Sequence, residues 1–122
     1  MQLPNQPPTM LRPRLGVVVT SWQHEDGAEY ARRLPELFPQ SAPTELVDLR
    51  VCPRVLESEQ DIPDIADFLS SQGAEALLLI PGNFTLDHIM PLMAQAASLP
   101  TVLWGMTTRE AWGAFVGVQQ TF

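Results

Sequence analysis

The chain has 122 residues, enough for one domain and too few for two full cores. Its 14 acidic residues against 7 basic ones leave a net charge of -7, which argues against a broad electrostatic footprint for nucleic acid or an anionic membrane. Every basic residue is Arg, so a Schiff-base lysine, a Walker-type phosphate lysine and the lysine of a receiver domain are all excluded.

An apolar content of 45% can fill a core, yet no apolar run approaches the ~18–20 residues of a membrane span. The single Cys52 cannot close an intrachain disulfide, and no basic-then-apolar leader opens the chain. A soluble, cytoplasmic protein is the expectation. Residues 1–14 hold Pro4, Pro7, Pro8 and Pro13, a density of fixed φ angles that suits an extended arm outside the core.

From Leu15 the sequence becomes punctuated. Leu15 to Thr20 is a short β-branched run of the kind buried on both faces of a sheet. Asp26 then offers a cap with Glu29 three positions on, and Tyr30, Leu34, Leu37 and Phe38 form a helical stripe that Pro35 is expected to bend or end. Thr44 to Val51 alternates as a second strand, closer to a sheet edge, until Cys52-Pro53 stops it. Ser58 and Asp61 make a second capping pair. Pro63 suits a first helical turn, Ile65, Ala66, Phe68 and Leu69 give the buried face, and Gly73 ends the helix.

Ala74 to Ile80 is too apolar for a one-sided strand and reads as central, followed by the turn Pro81-Gly82-Asn83. Thr85 is placed to cap a third helix with Ile89, Met90, Leu92, Met93 and Ala97, with Pro91 in its second turn. Thr101 to Trp104 is a fourth strand, and Glu110 onward opens a fourth helix that stops at Phe122. The resulting β-α-β-α-β-α-β order, with long connections, predicts parallel right-handed crossovers and an open doubly wound α/β sheet, flavodoxin-like with strand order 2-1-3-4. Because such sheets commonly have more strands, a chain truncated after the fourth strand, or completed by a partner, is expected.

Open parallel sheets bind ligands beyond the carboxyl ends of their strands, which directs attention to 21–26, 83–85 and 106–108. Amides, hydroxyls, an imidazole and aromatic rings gather there in the sequence, a set suited to a neutral polyhydroxylated ligand such as a sugar, and equally to loop residues that cap helices. Residues 20–27 have one Gly and two acids, which suits neither a dinucleotide pyrophosphate nor a flavin phosphate. His24 beside Glu25 and Asp26 could ligate a metal or act as a base, but adjacent loop residues seldom complete a coordination sphere, so no metal is expected in this chain. Cys52 reads as a small buried apolar residue, and of the three tryptophans Trp22 stands outside the apolar runs as the best ligand platform.

The run Val19-Thr20-Ser21-Trp22-Gln23-His24-Glu25-Asp26-Gly27-Ala28-Glu29 resembles the start of L-arabinose isomerases, where a strand ending in Val-Thr precedes Gln-His, then Gly and Glu at this spacing. Phe84-Thr85 falls where that family has Phe followed by Ser before a helix, and Phe115 to Thr121 is similar to its segment running from a Phe to a Gln followed by Ser. Over about residues 15–122 the chain is thus similar to the N-terminal domain of the L-arabinose/L-fucose isomerase group.

The resemblance implies a parent enzyme that interconverts aldose and ketose through a divalent metal, usually manganese, held by carboxylates and histidines of C-terminal domains absent here. It further implies a homo-oligomer in which this domain faces the sugar of a neighbouring subunit. Gln23, Phe84 and Gln120 would be the sugar contacts, with His24 and Glu25 adjacent and Trp22 beside them. Trp22 and the Glu25-Asp26 pair replace smaller or apolar residues of the family. Without the metal segments, the chain alone is expected to bind sugar weakly, to hold no cofactor and to catalyse nothing.

Overall fold

A computed structural model describes residues 12–24, 27–42, 45–83, 85 and 88–105. Four strands, β1 (Arg14–Thr20), β2 (Asp48–Val51), β3 (Ala76–Pro81) and β4 (Thr101–Leu103), form one sheet of order β2-β1-β3-β4, with all three pairings parallel. Three helices connect them: α1 (Ala28–Ser41), α2 (Ile62–Ser71), which follows a 3-10 turn at Glu59–Asp61, and α3 (Ile89–Ala97). This is the open parallel α/β sheet, in the strand order, that the sequence predicts.

The two runs of unbroken apolar residues became the two central strands because only there are both faces covered. Alternate residues sort between two cores. Val18, Leu77 and Leu79 pack under α2 and α3 with Ile62, Ile65, Leu69, Met90 and Met93, whereas Val17, Val19, Leu78 and Ile80 face Ala31 and Leu34 of α1. After β2 the chain leaves the sheet at Pro53-Arg54 and returns at Leu56, whose N–H donates to the Val19 carbonyl (2.8 Å) and whose carbonyl accepts from Ser21 N–H (2.9 Å). Leu56 is fully buried, so this return anchors the carboxyl end of β1 by packing and by backbone pairing together.

Several local expectations need correction. Pro35 does not end α1, which continues to Ser41 with Pro39 inside it as well. Each proline removes one backbone donor, and burial of Ala28, Ala31 and Leu34 against the sheet holds the helix across those gaps. Strand β2 starts at Asp48, not near residue 44, because β1 supplies pairing partners only from Arg14 onward, in register with Asp48, and Glu45-Leu46 form a turn. Thr85 does not cap α3. That helix starts at Ile89 after His88, which places Pro91 in its first turn, where the missing N–H is one that no helix satisfies internally.

The pairing of Ser58 with Asp61 does form. The Asp61 carboxylate accepts from the N–H groups of Glu57 and Ser58, each at 3.0 Å. Among the described residues, no helix is long and apolar enough to cross a membrane.

Candidate functional site

The carboxyl ends of β1 and β3 lie side by side, Thr20 in register with Pro81. Just beyond them the Asn83 side chain takes over the pairing. Its Oδ1 accepts from Trp22 N–H at 2.9 Å and its Nδ2 donates to the Trp22 carbonyl at 3.0 Å. A carboxamide has the donor–acceptor pair of a peptide group, so Asn83 extends the ladder by one residue with a side chain in place of a strand.

The clamp is itself fixed from below. Thr20 Oγ1 and Thr85 Oγ1 are 2.8 Å apart, and the Thr85 hydroxyl also reaches the Asn83 carbonyl at 3.4 Å. Thr20, Asn83 and Thr85 are all fully buried. Gly82 donates its N–H to the Thr20 carbonyl at 2.8 Å. A Cβ at Gly82 would overlap the Ala31 Cβ and lie 2.8 Å from the Ala31 Cα, so glycine is what allows α1 to approach the turn.

This clamp presents the segment 22–24 at the rim. Gln23 and His24 are exposed, with Gln23 Nε2 and His24 Nε2 at 3.3 Å, and the half-buried Trp22 ring meets the His24 ring edge-on, centroids 5.9 Å apart at 83°. Indole, imidazole and amide therefore stand together: a flat apolar face next to groups that donate and accept hydrogen bonds. Ser21, 2% exposed, carries a buried hydroxyl with no hydrogen-bond partner, the sole such side-chain atom among the described residues. An unsatisfied buried hydroxyl costs about 1–3 kcal/mol.

Of the residues singled out in the sequence, the structure brings Trp22, Gln23 and His24 together. Glu25, Phe84 and Gln120 lie outside the described residues, as does the fourth helix expected from Glu110. Sequence reasoning placed Asn83 in the crevice but missed its role as a clamp. Pro81-Gly82-Asn83 has the signature of an ordinary turn, and nothing in the sequence distinguishes an Asn that turns the chain from one that grips a neighbouring strand.

Several charges elsewhere among the described residues are paired locally. Arg54 bonds Asp61 at 2.8 Å and Asp64 at 2.7 Å, and Arg32 bonds Glu57 at 3.2 Å, across a polar groove of about 340 Å³. At the amino end of the sheet the Arg50 guanidinium forks onto Asp48 at 2.7 and 3.2 Å and holds that carboxyl below its ordinary value. His88 Nε2 lies 2.9 Å from Glu59 Oε1, away from His24 in the chain and on another element. Among the described residues no three His, Cys, Asp or Glu side chains gather as a metal-binding set. Cys52 is buried, as its sequence context suggests, and burial pushes its thiol pKa up.

Comparison with family models, with curated proteins and with solved structures returns no match.

Proposed function

We propose that this chain is a carbohydrate-contacting α/β domain of the L-arabinose/L-fucose isomerase type, acting as the N-terminal, oligomer-forming part of an aldose–ketose isomerase and inactive by itself. The observation that carries the reading is the Asn83 clamp, which holds the Trp22 backbone at the carboxyl rim of the central strands, next to the exposed Gln23 and His24. Sugars present hydroxyls that want amide and imidazole partners and C–H faces that want a ring, and this segment offers all three. Gln23 and His24 would share one sugar hydroxyl between them, and Trp22 would back the pyranose face. Phe84, Gln120 and Glu25 complete the proposed contacts by resemblance alone.

The described residues offer no ligand set for the manganese of the parent enzyme, so no chemical step is assigned to them. Binding by a handful of hydrogen bonds corresponds to a Kd on the order of 1 mM. Titration of the ¹⁵N-labelled chain with L-arabinose and L-fucose tests the reading. Saturable shifts are expected in the amides of Trp22, Gln23 and His24, and the Gln23→Ala and His24→Ala variants should abolish them. Shifts that stay absent or never saturate up to solubility-limited sugar would refute it.

A second reading, a stand-alone assembly module, is favoured by one separate observation. Strand β4 lies at the sheet edge with Val102 and Trp104 exposed. A stable oligomer that ignores carbohydrate would select it.

A further inference from the structure

Strand β2 lies at one edge of the sheet. The N–H groups of Asp48 and Cys52 donate inward to the Pro13 and Val17 carbonyls, each at 2.9 Å. Peptide groups alternate in direction along a strand, so the N–H groups of Leu49 and Val51 and the carbonyls of Val47 and Leu49 point away from β1. Among the described residues no strand pairs with that side of β2. The side chains alternate as well. Leu49 and Val51 pack with the α1 core, while Asp48 and Arg50 stand on the opposite face, bonded to each other and, through Arg50 Nη1, to Gln72 Oε1 at 3.0 Å. All four residues of β2 are only half-buried.

We propose that the outer edge of β2 pairs antiparallel with β2 of a second copy, about a two-fold axis at Leu49. In this register Leu49 lies opposite Leu49 of the second copy and exchanges two backbone hydrogen bonds with it. Val51 N–H meets the Val47 carbonyl of the second copy, and the symmetry repeats that bond. Asp48 then faces Arg50 of the second copy, and Arg50 faces Asp48 of the second copy. These are non-hydrogen-bonded pairs of an antiparallel ladder, in which side chains approach most closely. The two neighbouring two-fold registers set Asp48 against Asp48, or Arg50 against Arg50. Unlike charges directly opposite stabilise a sheet and like charges destabilise it, so Asp48-Leu49-Arg50 selects one register.

Charges on an edge strand ordinarily deter pairing, because a second copy brings like against like; here the two-fold brings unlike against unlike. The net charge of -7 on each copy opposes association in general, but not at this edge. Arg12 and Arg14 line a cleft with Asp48 and Glu75 at the amino end of the sheet. With Arg50, the region therefore holds three of the chain's seven basic residues against two carboxylates. Strand β4, at the opposite edge, has only three residues, Thr101 to Leu103, and no charge that would set a register. The inference does not rest on the carbohydrate reading.

Sedimentation velocity of the full chain from roughly 10 μM to 1 mM tests this, at a physiological salt concentration where a Debye length of about 8 Å screens the net charges and spares the close pairs. A monomer–dimer equilibrium with a Kd on the order of 100 μM is expected, because strand pairing alone buries little surface. Asp48→Arg and Arg50→Asp each set like charges opposite one another and should weaken self-association roughly tenfold or more. An equimolar mixture of the two variants should restore the dimer. Hydrogen exchange on the unsubstituted chain needs no variant. The Leu49 and Val51 amides should gain protection as concentration rises, while the Cys52 amide, already bonded to Val17, stays unchanged. A chain that remains monomeric at about 1 mM overturns the inference. So does a dimer that both swaps leave unchanged, a mixture that fails to restore it, or protection that rises at 101–103 in place of Leu49 and Val51, which would assign the contact to β4. If circular dichroism shows the swapped variants unfolded, the exchange pattern decides. Sugar-dependent shifts at Trp22, Gln23 and His24 are read separately, so failure of either proposal leaves the other standing.

Discussion

Replacing Asn83 isolates the clamp on which the rim depends. Asn83→Ala removes the bonds to Trp22 N–H and to the Trp22 carbonyl from a fully buried position. A net ~0.5–1.5 kcal/mol per bond, plus the cost of backbone groups left partly desolvated without partners, puts the loss at about 2–4 kcal/mol. With ~4 °C of Tm per kcal/mol in a domain of this size, the melting temperature should fall by roughly 8–16 °C. With a urea m-value of about 2 kcal/mol/M, the midpoint should drop by about 1–2 M with the slope unchanged.

Asn83→Asp sharpens the test, because the isosteric carboxylate can still accept from Trp22 N–H but sets an acceptor against the Trp22 carbonyl. Its protonated form can donate there, so the folded pKa of the introduced carboxyl is raised above the unfolded value. The sign follows. Its stabilising contribution is complete below the unfolded value of about 3.9 and is lost as the pH rises through the raised folded value. Urea titrations of this variant and of the unsubstituted chain at pH 4 and pH 7 should therefore show the gap between them narrowing at the acid end. A loss below about 0.5 kcal/mol for the alanine variant, or an aspartate gap that does not change with pH, would refute the clamp as an energetic feature.

Three further outcomes follow from the structure. Gly82→Ala places a methyl group against the Ala31 backbone, and it should destabilise by about 1–3 kcal/mol or more, read from the urea midpoint, since a helix must move to admit it. Cys52, 2% exposed and with its thiol pKa raised by burial, should react with a disulfide reagent at neutral pH only through opening of the fold, so its rate should rise steeply across the urea transition. The Asp48 carboxyl, held low by hydrogen bonds from Arg50, contributes stability above the ordinary carboxylate value that disappears as the pH falls through its depressed folded value. Asp48→Asn should therefore be costlier at neutral pH than in acid, and a pH-independent difference between the two urea midpoints would contradict that.

The architecture was legible because it rests on local signals that the tertiary structure reinforces. Two uninterrupted β-branched or leucine-rich runs can be satisfied only between two covered faces, and the long connections between strands force parallel crossovers. Strand order and the burial of Val17 to Val19 and of Leu77 to Ile80 follow from these. At the rim, the position of Trp22, Gln23 and His24 after a central strand was readable for the same reason, since a parallel sheet presents its strand ends on one edge.

Element boundaries and the clamp were not legible. Pro35 and Pro39 break a helix in isolation but not one pressed onto a sheet, and Thr85 reads as a cap until Thr20, distant in sequence, engages its hydroxyl. The Asn83 bonds to Trp22 and the close passage of Gly82 over Ala31 each join residues far apart in the chain. Propensity and periodicity describe a residue and its near neighbours. Which distant backbone group an amide finds, or which helix a glycine admits, is set only when the elements pack. The sequence thus determined the layers and the edge on which the rim lies, and tertiary packing alone decided which side chains hold that rim in place.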